Sequence, residues 1–370
     1  MESEKAELQG NDHNVSRRGV LGMAGLAALG ASGLGLASCT SATDANKGGT
    51  TRRGGGKKRT IVWATHVYYN QPALIGIEVG FRDFCDLAGW NFKVTAAKTT
   101  GDVQQTIQAQ NEALQLKPDA IVATMTDPTS FNKSLKAIID AGIFLQLNNT
   151  QPDQGNGFDV PYIGQSFTDA GVAAAKLVLS KAKDGGKTSG PLLLGYCCGN
   201  QGAVGTRTKG LKQGVNEFNK ENGTNFTTTE LLDTSDSAPA SATGQWQAKL
   251  RQVGDNLVGI VADGVGNPTI DAAKAAGKKP GFVPIGTFDV TDQRLTYLDD
   301  GWFTVVVDQQ PYAQGWIPAV QAYMWLEART RPTALYDTGS ALITKDGVGD
   351  ARKNAQYIHT RGRELKIAGA

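Results

Sequence analysis

The chain is 370 residues long, with 40% hydrophobic and 19% charged residues, a composition that excludes global disorder. Its length exceeds what one core usually serves, so two lobes of about 150 residues each are expected. The 37 basic and 35 acidic residues leave a formal charge of +2, which excludes a nucleic-acid binder working by bulk charge, and three histidines leave little for a metal site or a Ser-His-Asp triad.

Arg17 and Arg18 follow a polar opening segment and precede apolar residues, the pattern of a twin-arginine export signal. The apolar stretch 19–37 is long enough to suggest a membrane span, but its glycine content makes it weakly hydrophobic. It ends in Leu36, Ala37, Ser38 and Cys39, which resemble a bacterial lipobox, where the cysteine takes a diacylglycerol and becomes the new N-terminus. The alternative is an unmodified thiol in a plain signal peptide. Residues 1–38 are therefore read as a twin-arginine lipoprotein signal peptide. The mature chain is expected outside the cytoplasmic membrane, held there by acyl chains that each contribute about 0.8 kcal/mol per buried CH₂. Residues 39–59 carry hardly an apolar side chain and read as a flexible basic tether. Arg52, Arg53, Lys57, Lys58 and Arg59 suit anionic lipid headgroups better than nucleic acid, and the neighbouring glycines lack P-loop spacing.

The rest alternates strand and helix. Strands are expected at 61–64, 92–94, 120–123, 143–145 and 161–164, with helices from Pro72 to Gly89, over 102–116, and from an Asp127 cap to Gly142. The pattern then restarts. Helices are expected over 168–183, 205–222, 241–253 and 268–276, between strands at 191–196, 229–232, 258–261, 283–286 and 304–307. Repeated β-α order implies α/β lobes with parallel, doubly wound sheets, two Rossmann-like units in one chain.

Several stretches, in this order, resemble the type I solute-binding proteins of ABC sugar importers, the ribose/galactose/xylose group. They are Asn70-Gln71-Pro72 after the first strand, Ile121 to Asp127, Ile285-Gly286-Thr287-Phe288-Asp289, the crossover from Thr304 to Pro311, and Asp337-Thr338-Gly339 with Leu342 to Asp346. The resemblance covers about 61–347. It implies the type I periplasmic binding protein fold with three hinge crossovers. The N-terminal lobe would be 60–164 plus 310–336 and the C-terminal lobe 165–309 plus 337–350, leaving 351–370 as a polar tail. Hinge strands are expected near 164, 264–286 and 308, with ligand in the cleft at the C-terminal ends of both sheets, where open α/β sheets bind ligands in general.

The strand ends suit a polyol, because amides and carboxylates can engage adjacent hydroxyls and an aromatic can cover a C–H face. The candidates are Tyr69, Asn70, Gln71, Asp127, Asn148, Asn149, Arg207, Asp263, Phe288, Asp289 and Gln309. The family places a ligand-binding arginine near the start of the helix after Cys197 and Cys198, and the register leaves Arg207 or Lys209 open. Asn148-Asn149 and Asp263 depart from the family pattern. Asp127 and Asp289 could instead cap helices, and Asn148-Asn149-Thr150 could be a turn. Trp63, Tyr68, Trp246 and Trp302 suit core packing better than stacking. Cys197 and Cys198 could form a vicinal disulfide or stay as thiols, and Cys85 is expected buried alone.

The expected function is capture of a small sugar, cyclitol or related polar solute by a monomer, for delivery to ABC permease subunits. The membrane would be met through the lipid anchor, with no nucleic acid, cofactor, metal or catalytic residue. A sensor handing its closed form to a receptor is the alternative. A surface glycoside hydrolase using paired carboxylates is disfavoured, since no Gly-x-Ser-x-Gly, HExxH or P-loop motif occurs.

Overall fold

The computed structural model describes residues 57–67, 71–150, 158–196, 202–231, 239–263 and 266–370. Arg17, Arg18, Cys39, Tyr68, Tyr69, Asn70, Cys197 and Cys198 lie outside them.

The strand β1 (Thr60–Thr65) is a run of β-branched and apolar residues, buried beyond its first position. It is followed by α1 (Ile75–Ala88), β2 (Asn91–Ala96), α2 (Val103–Gln115), β3 (Ala120–Ala123), α3 (Asn132–Asp140), β4 (Phe144–Asn148) and β5 (Tyr162–Gly164). A second series comprises α4 (Phe167–Asp184), β6 (Ser189–Tyr196), α5 (Gly202–Asn222), β7 (Asn225–Leu231), α6 (Pro239–Val253) and β8 (Gly259–Asp263). It continues through α7 (Gly266–Ala275), β9 (Ile285–Phe288), α8 (Asp292–Asp299) and β10 (Val305–Asp308). The chain then runs through α9 (Pro311–Ala328), β11 (Leu335–Asp337), β12 (Ala341–Ile343) and α10 (Val348–Glu364).

Among the described residues the strands form two six-stranded sheets, β11-β5-β4-β3-β1-β2 and β12-β10-β9-β8-β6-β7. Only the β10–β12 pair is antiparallel among them. Helices cover both faces of each sheet, so alternate strand residues enter different cores. In the first lobe Ile61 and Trp63 pack with Phe81, Phe84 and Ala319, while Val62 packs with Ile121, Phe131 and Leu135. In the second, Leu192 and Leu194 pack with Val178 and Phe218, while Leu193 packs with Trp246 and Ile285.

Two helix pairs approach to backbone contact at glycines. A β-carbon on Gly315 of α9 would overlap the Ile77 carbonyl of α1, and one on Gly210 of α5 would overlap the Thr168 carbonyl of α4. The second approach bears on function, because α5 carries Arg207.

The chain crosses between lobes at 164–167, 308–311 and 337–341. The hinge expected within 264–286 instead lies inside the second lobe, where α7 and the start of β9 continue its β-α series. Other expectations also shift. Asp127 does not cap α3; its Oδ1 accepts from the backbone N–H groups of Thr129 (3.0 Å) and Ser130 (2.8 Å), closing a turn, and the helix begins at Asn132. Asp289 does not cap α8 either, since Thr291 accepts from the Arg294 N–H. The strand expected at 143–145 runs on to Asn148. The segment read as a polar tail is helical, with Ile358 and Ile367 buried beside Ile75 and Val79 of α1. No helix among the described residues is long and apolar enough to cross a membrane.

Candidate functional site

The C-terminal ends of the two sheets bring most of the expected residues together around the crossovers. Asn149 follows β4, Asp289 follows β9, and Gln310 follows β10. All three adopt left-handed backbone, with φ of 61°, 67° and 56°. Non-glycine residues hold that region only where surrounding contacts compensate the strain. Here the contacts are polar. Asn149 Nδ2 donates to Gln309 Oε1 (3.1 Å) and Gln314 Oε1 (2.8 Å). Gln309 Nε2 in turn donates to Asp289 Oδ1 at 2.6 Å. A chain of amides thus joins the end of a first-lobe strand to the end of a second-lobe strand. Gln314 and Thr338 both bond the Gln309 carbonyl, fixing that residue at the crossover.

On the second lobe, α5 aims Arg207 at the end of β8. Its Nη1 donates to Asp263 Oδ1 at 2.6 Å and its Nη2 to Gln165 Oε1 at 2.9 Å. The guanidinium lies between the rings of Phe288, 4.2 Å from the centroid, and Phe167, 4.6 Å away. Phe288 is fully buried, so it backs the arginine and presents no open face. Lys209, the other residue left open by register, is exposed, whereas Arg207 is buried.

Burial raises the Asp263 carboxyl above its ordinary range; Arg207 opposes the shift and Asp289 adds to it. Burial also raises Asp308, the last residue of β10, against the Gln310 N–H that bonds it. His66, just past β1, is pushed down to about 4 by burial and so is neutral at physiological pH. The Ser130 hydroxyl, with the Ser130 and Thr129 N–H groups, holds Asp127 below its usual range.

The remaining expected residues separate by role. Asn148 is wholly buried and engaged at both ends: Trp63 Nε1 donates to its Oδ1 (3.1 Å), and its Nδ2 donates to the Gln314 carbonyl (3.0 Å). It therefore sits in the scaffold under Asn149. Asp127 is half-buried and Gln71 is exposed. Trp63, Trp246 and Trp302 are buried core residues. Cys85 is buried in α1, its thiol pushed up to about 12 by burial.

Several buried side-chain atoms at these strand ends have no hydrogen-bond partner among the described residues: His66 Nδ1, Thr126 Oγ1, Thr150 Oγ1, Arg207 Nε, Asp263 Oδ2 and Asn267 Oδ1. Leaving such an atom unpaired costs about 1–3 kcal/mol, so a cluster of them on both lobes marks a place suited to a hydrogen-bonding ligand. Gln165, Phe167, Asn267, Gln314 and Thr338 were not expected from sequence. Of these, Gln165 could have been found, since it follows a strand as the others do.

A family model for the periplasmic binding protein domain matches residues 61–330. The xylose/arabinose-binding protein of Sulfolobus acidocaldarius is 23% identical over 300 residues, 78% of this chain and 71% of that protein. Among solved structures, a carbohydrate transporter from Acidothermus cellulolyticus in complex with myo-inositol superposes with a TM-score of 0.68 at 22% identity, covering 82% of this chain and 99% of that one. An ABC transporter periplasmic solute-binding protein from Actinobacillus succinogenes with bound D-allose gives 0.69 at 18% identity, covering 79% of this chain and 100% of that one. With two six-stranded, mainly parallel sheets, polar side chains from both gathered at their C-terminal ends and the family match across most of the folded residues, the chain belongs to the periplasmic binding protein family in its type I form.

Proposed function

We propose that the protein captures a small sugar, cyclitol or related polyol in the cleft between its lobes and delivers it to the permease of an ABC importer. The observation that carries this reading is the set of unpaired buried polar atoms at the strand ends of both lobes. Donors and acceptors are mixed there, as a ring bearing several hydroxyls requires. The xylose, arabinose, myo-inositol and allose in the relatives' names belong to the same chemical class. In this reading Asp263 Oδ2 and Asp289 accept from hydroxyls, while Arg207 Nε and Asn149 donate to them. Gln309 holds Asp289 and Asn149 in register. Asp127 and Gln71, with Tyr69 and Asn70, complete the site from the first lobe. Binding and release suffice, so no residue is assigned a catalytic role.

A thermal-shift screen of the purified protein against pentoses, hexoses and cyclitols tests this. A ligand at one hundred times its Kd adds about 2.7 kcal/mol of stability, which moves the melting temperature by several degrees. One polyol is expected to give that shift, and Asp289→Ala is expected to lose it. A protein that melts cooperatively and responds to no polyol would overturn the reading.

We assign the protein to the outer face of the cytoplasmic membrane, exported through Arg17 and Arg18 and anchored through a lipidated Cys39. Cys39→Ala is expected to move it from the membrane fraction to the soluble extracytoplasmic fraction. Retention of that variant on the membrane would count against the anchor.

A further inference from the structure

The C-terminal helix α10 touches both lobes, and it does so with two separate faces. Helical spacing places Val348, Arg352 and His359 along one stripe and Tyr357, Ile358, Arg361 and Gly362 along another. The first stripe meets the second lobe. Val348 packs on the core that includes Tyr297 and Leu298 of α8. Arg352 Nη2 lies 2.5 Å from Asp299 Oδ2, at the end of α8, and His359 Nε2 lies 3.9 Å from Asp292 at its start. The second stripe meets the first lobe. Arg361 Nε donates to Asp83 Oδ1 (2.6 Å) and its Nη2 to Asp86 Oδ2 (2.7 Å), both on α1. Tyr357 Oη donates to Asp83 Oδ2 at 2.7 Å, and Tyr312 of α9 donates to the same oxygen at 3.2 Å. Below these, Ile358 is buried against Ile75 and Val79, close enough that a β-carbon on Gly76 would stand 3.1 Å from its Cδ1.

We propose that α10 is a strap that sets the relative orientation of the two lobes, tied to the second lobe through β12 and Arg352 and docked on the first through Arg361, Tyr357 and Ile358. α1 and α8 belong to different lobes. A rotation of one lobe against the other therefore has to give up one set of contacts or carry the helix with it. The strap adds a cost to that rotation which three crossovers alone do not impose, and so narrows the range of lobe orientations in the ligand-free protein. The inference depends on the two-lobed fold and not on which solute is bound.

Single-molecule energy transfer in the ligand-free full chain tests it. Dyes are attached through azide-bearing residues placed at Asn111 of α2 and Ala248 of α6, exposed positions on opposite lobes. The parent is expected to give one narrow efficiency distribution. Arg361→Ala, which cuts the first-lobe contact, and Arg352→Ala, which cuts the second, are each expected to broaden it. Lys353→Ala, an exposed residue of α10 that pairs with Asp350 in its own helix, is expected to leave it unchanged. Distributions that superimpose for the parent and both arginine variants would overturn the proposal, as would equal broadening in Lys353→Ala.

Discussion

Arg207→Ala is expected to lower the stability of the protein by about 3–5 kcal/mol and to abolish solute binding. The variant leaves Asp263, 3% exposed, without the cation that faces it, and leaves Gln165 Oε1 and two phenylalanine rings around a hole. The penalty depends on pH in a defined direction. Burial already holds the Asp263 carboxyl above its ordinary value, and losing Arg207 raises it further. Below the ordinary value both folded and unfolded chains are protonated there, and the variant loses least. As pH rises between the ordinary and the raised value, the unfolded chain gives up its proton before the folded one, so stability falls. That window is wider in the variant. The gap between parent and variant therefore grows with pH until the variant's Asp263 ionises. Urea unfolding at several pH values measures it, and a gap that does not vary with pH would contradict the assignment. Arg207→Ala combined with Asp263→Ala removes both buried charges and is expected to recover most of the stability without recovering binding.

Gly210→Ala and Gly205→Ala, five residues apart on one helix, are expected to act in opposite directions. A β-carbon at position 210 meets the backbone of Thr168, which no rotamer change can relieve, so α5 must shift away from α4. The expected cost is about 3 kcal/mol, near the upper end of ordinary overpacking. The shift also withdraws Arg207 from Asp263, so affinity falls along with stability. A β-carbon at position 205 meets nothing within 4 Å. There the substitution removes only glycine's freedom in a helix and is expected to stabilise by about 0.4–1 kcal/mol. Thermal melts of the two variants decide the matter, and equal effects would mean that the α4–α5 approach is looser than described.

Much of the fold was legible because buried parallel strands are short apolar runs. Residues 120–123 and 304–307 are of that kind, and the strands found there start and end within one residue of the expectation. The far end of β4 is not legible, because Gln146 and Asn148 look like loop residues. Each is buried and bonded to a distant partner, Gln321 and Trp63, which local pattern cannot reveal. The helix α10 is hidden for a related reason. Its apolar stripe is narrow, and its charges are matched by Asp83 and Asp86, more than two hundred residues earlier. At the site, the rule that ligands lie at the C-terminal ends of strands pointed to Asn149, Asp263, Asp289 and Gln309. The choice between Arg207 and Lys209 could have been made from helical phase, since Arg207 lies four residues before the buried Leu211 and shares its face. Gln314 was beyond reach, because it acts by holding Gln309 and sits in no recognisable spacing of its own; Thr338 lies in the Asp337-Thr338-Gly339 stretch, but its bond to the Gln309 carbonyl joins residues 29 apart.

The central claim is that one polyol binds between the lobes through groups placed by both. Calorimetric titration of the purified protein with xylose, arabinose, allose and myo-inositol tests it most directly. At least one is expected to bind with a stoichiometry of one and a free energy of about −8 kcal/mol, the value for a micromolar Kd. The doubly substituted protein lacking Arg207 and Asp263, shown to be folded by its melt, is expected to give no binding heat with the same sugar. Absence of heat from all four polyols, or undiminished binding by the double variant, would contradict the account.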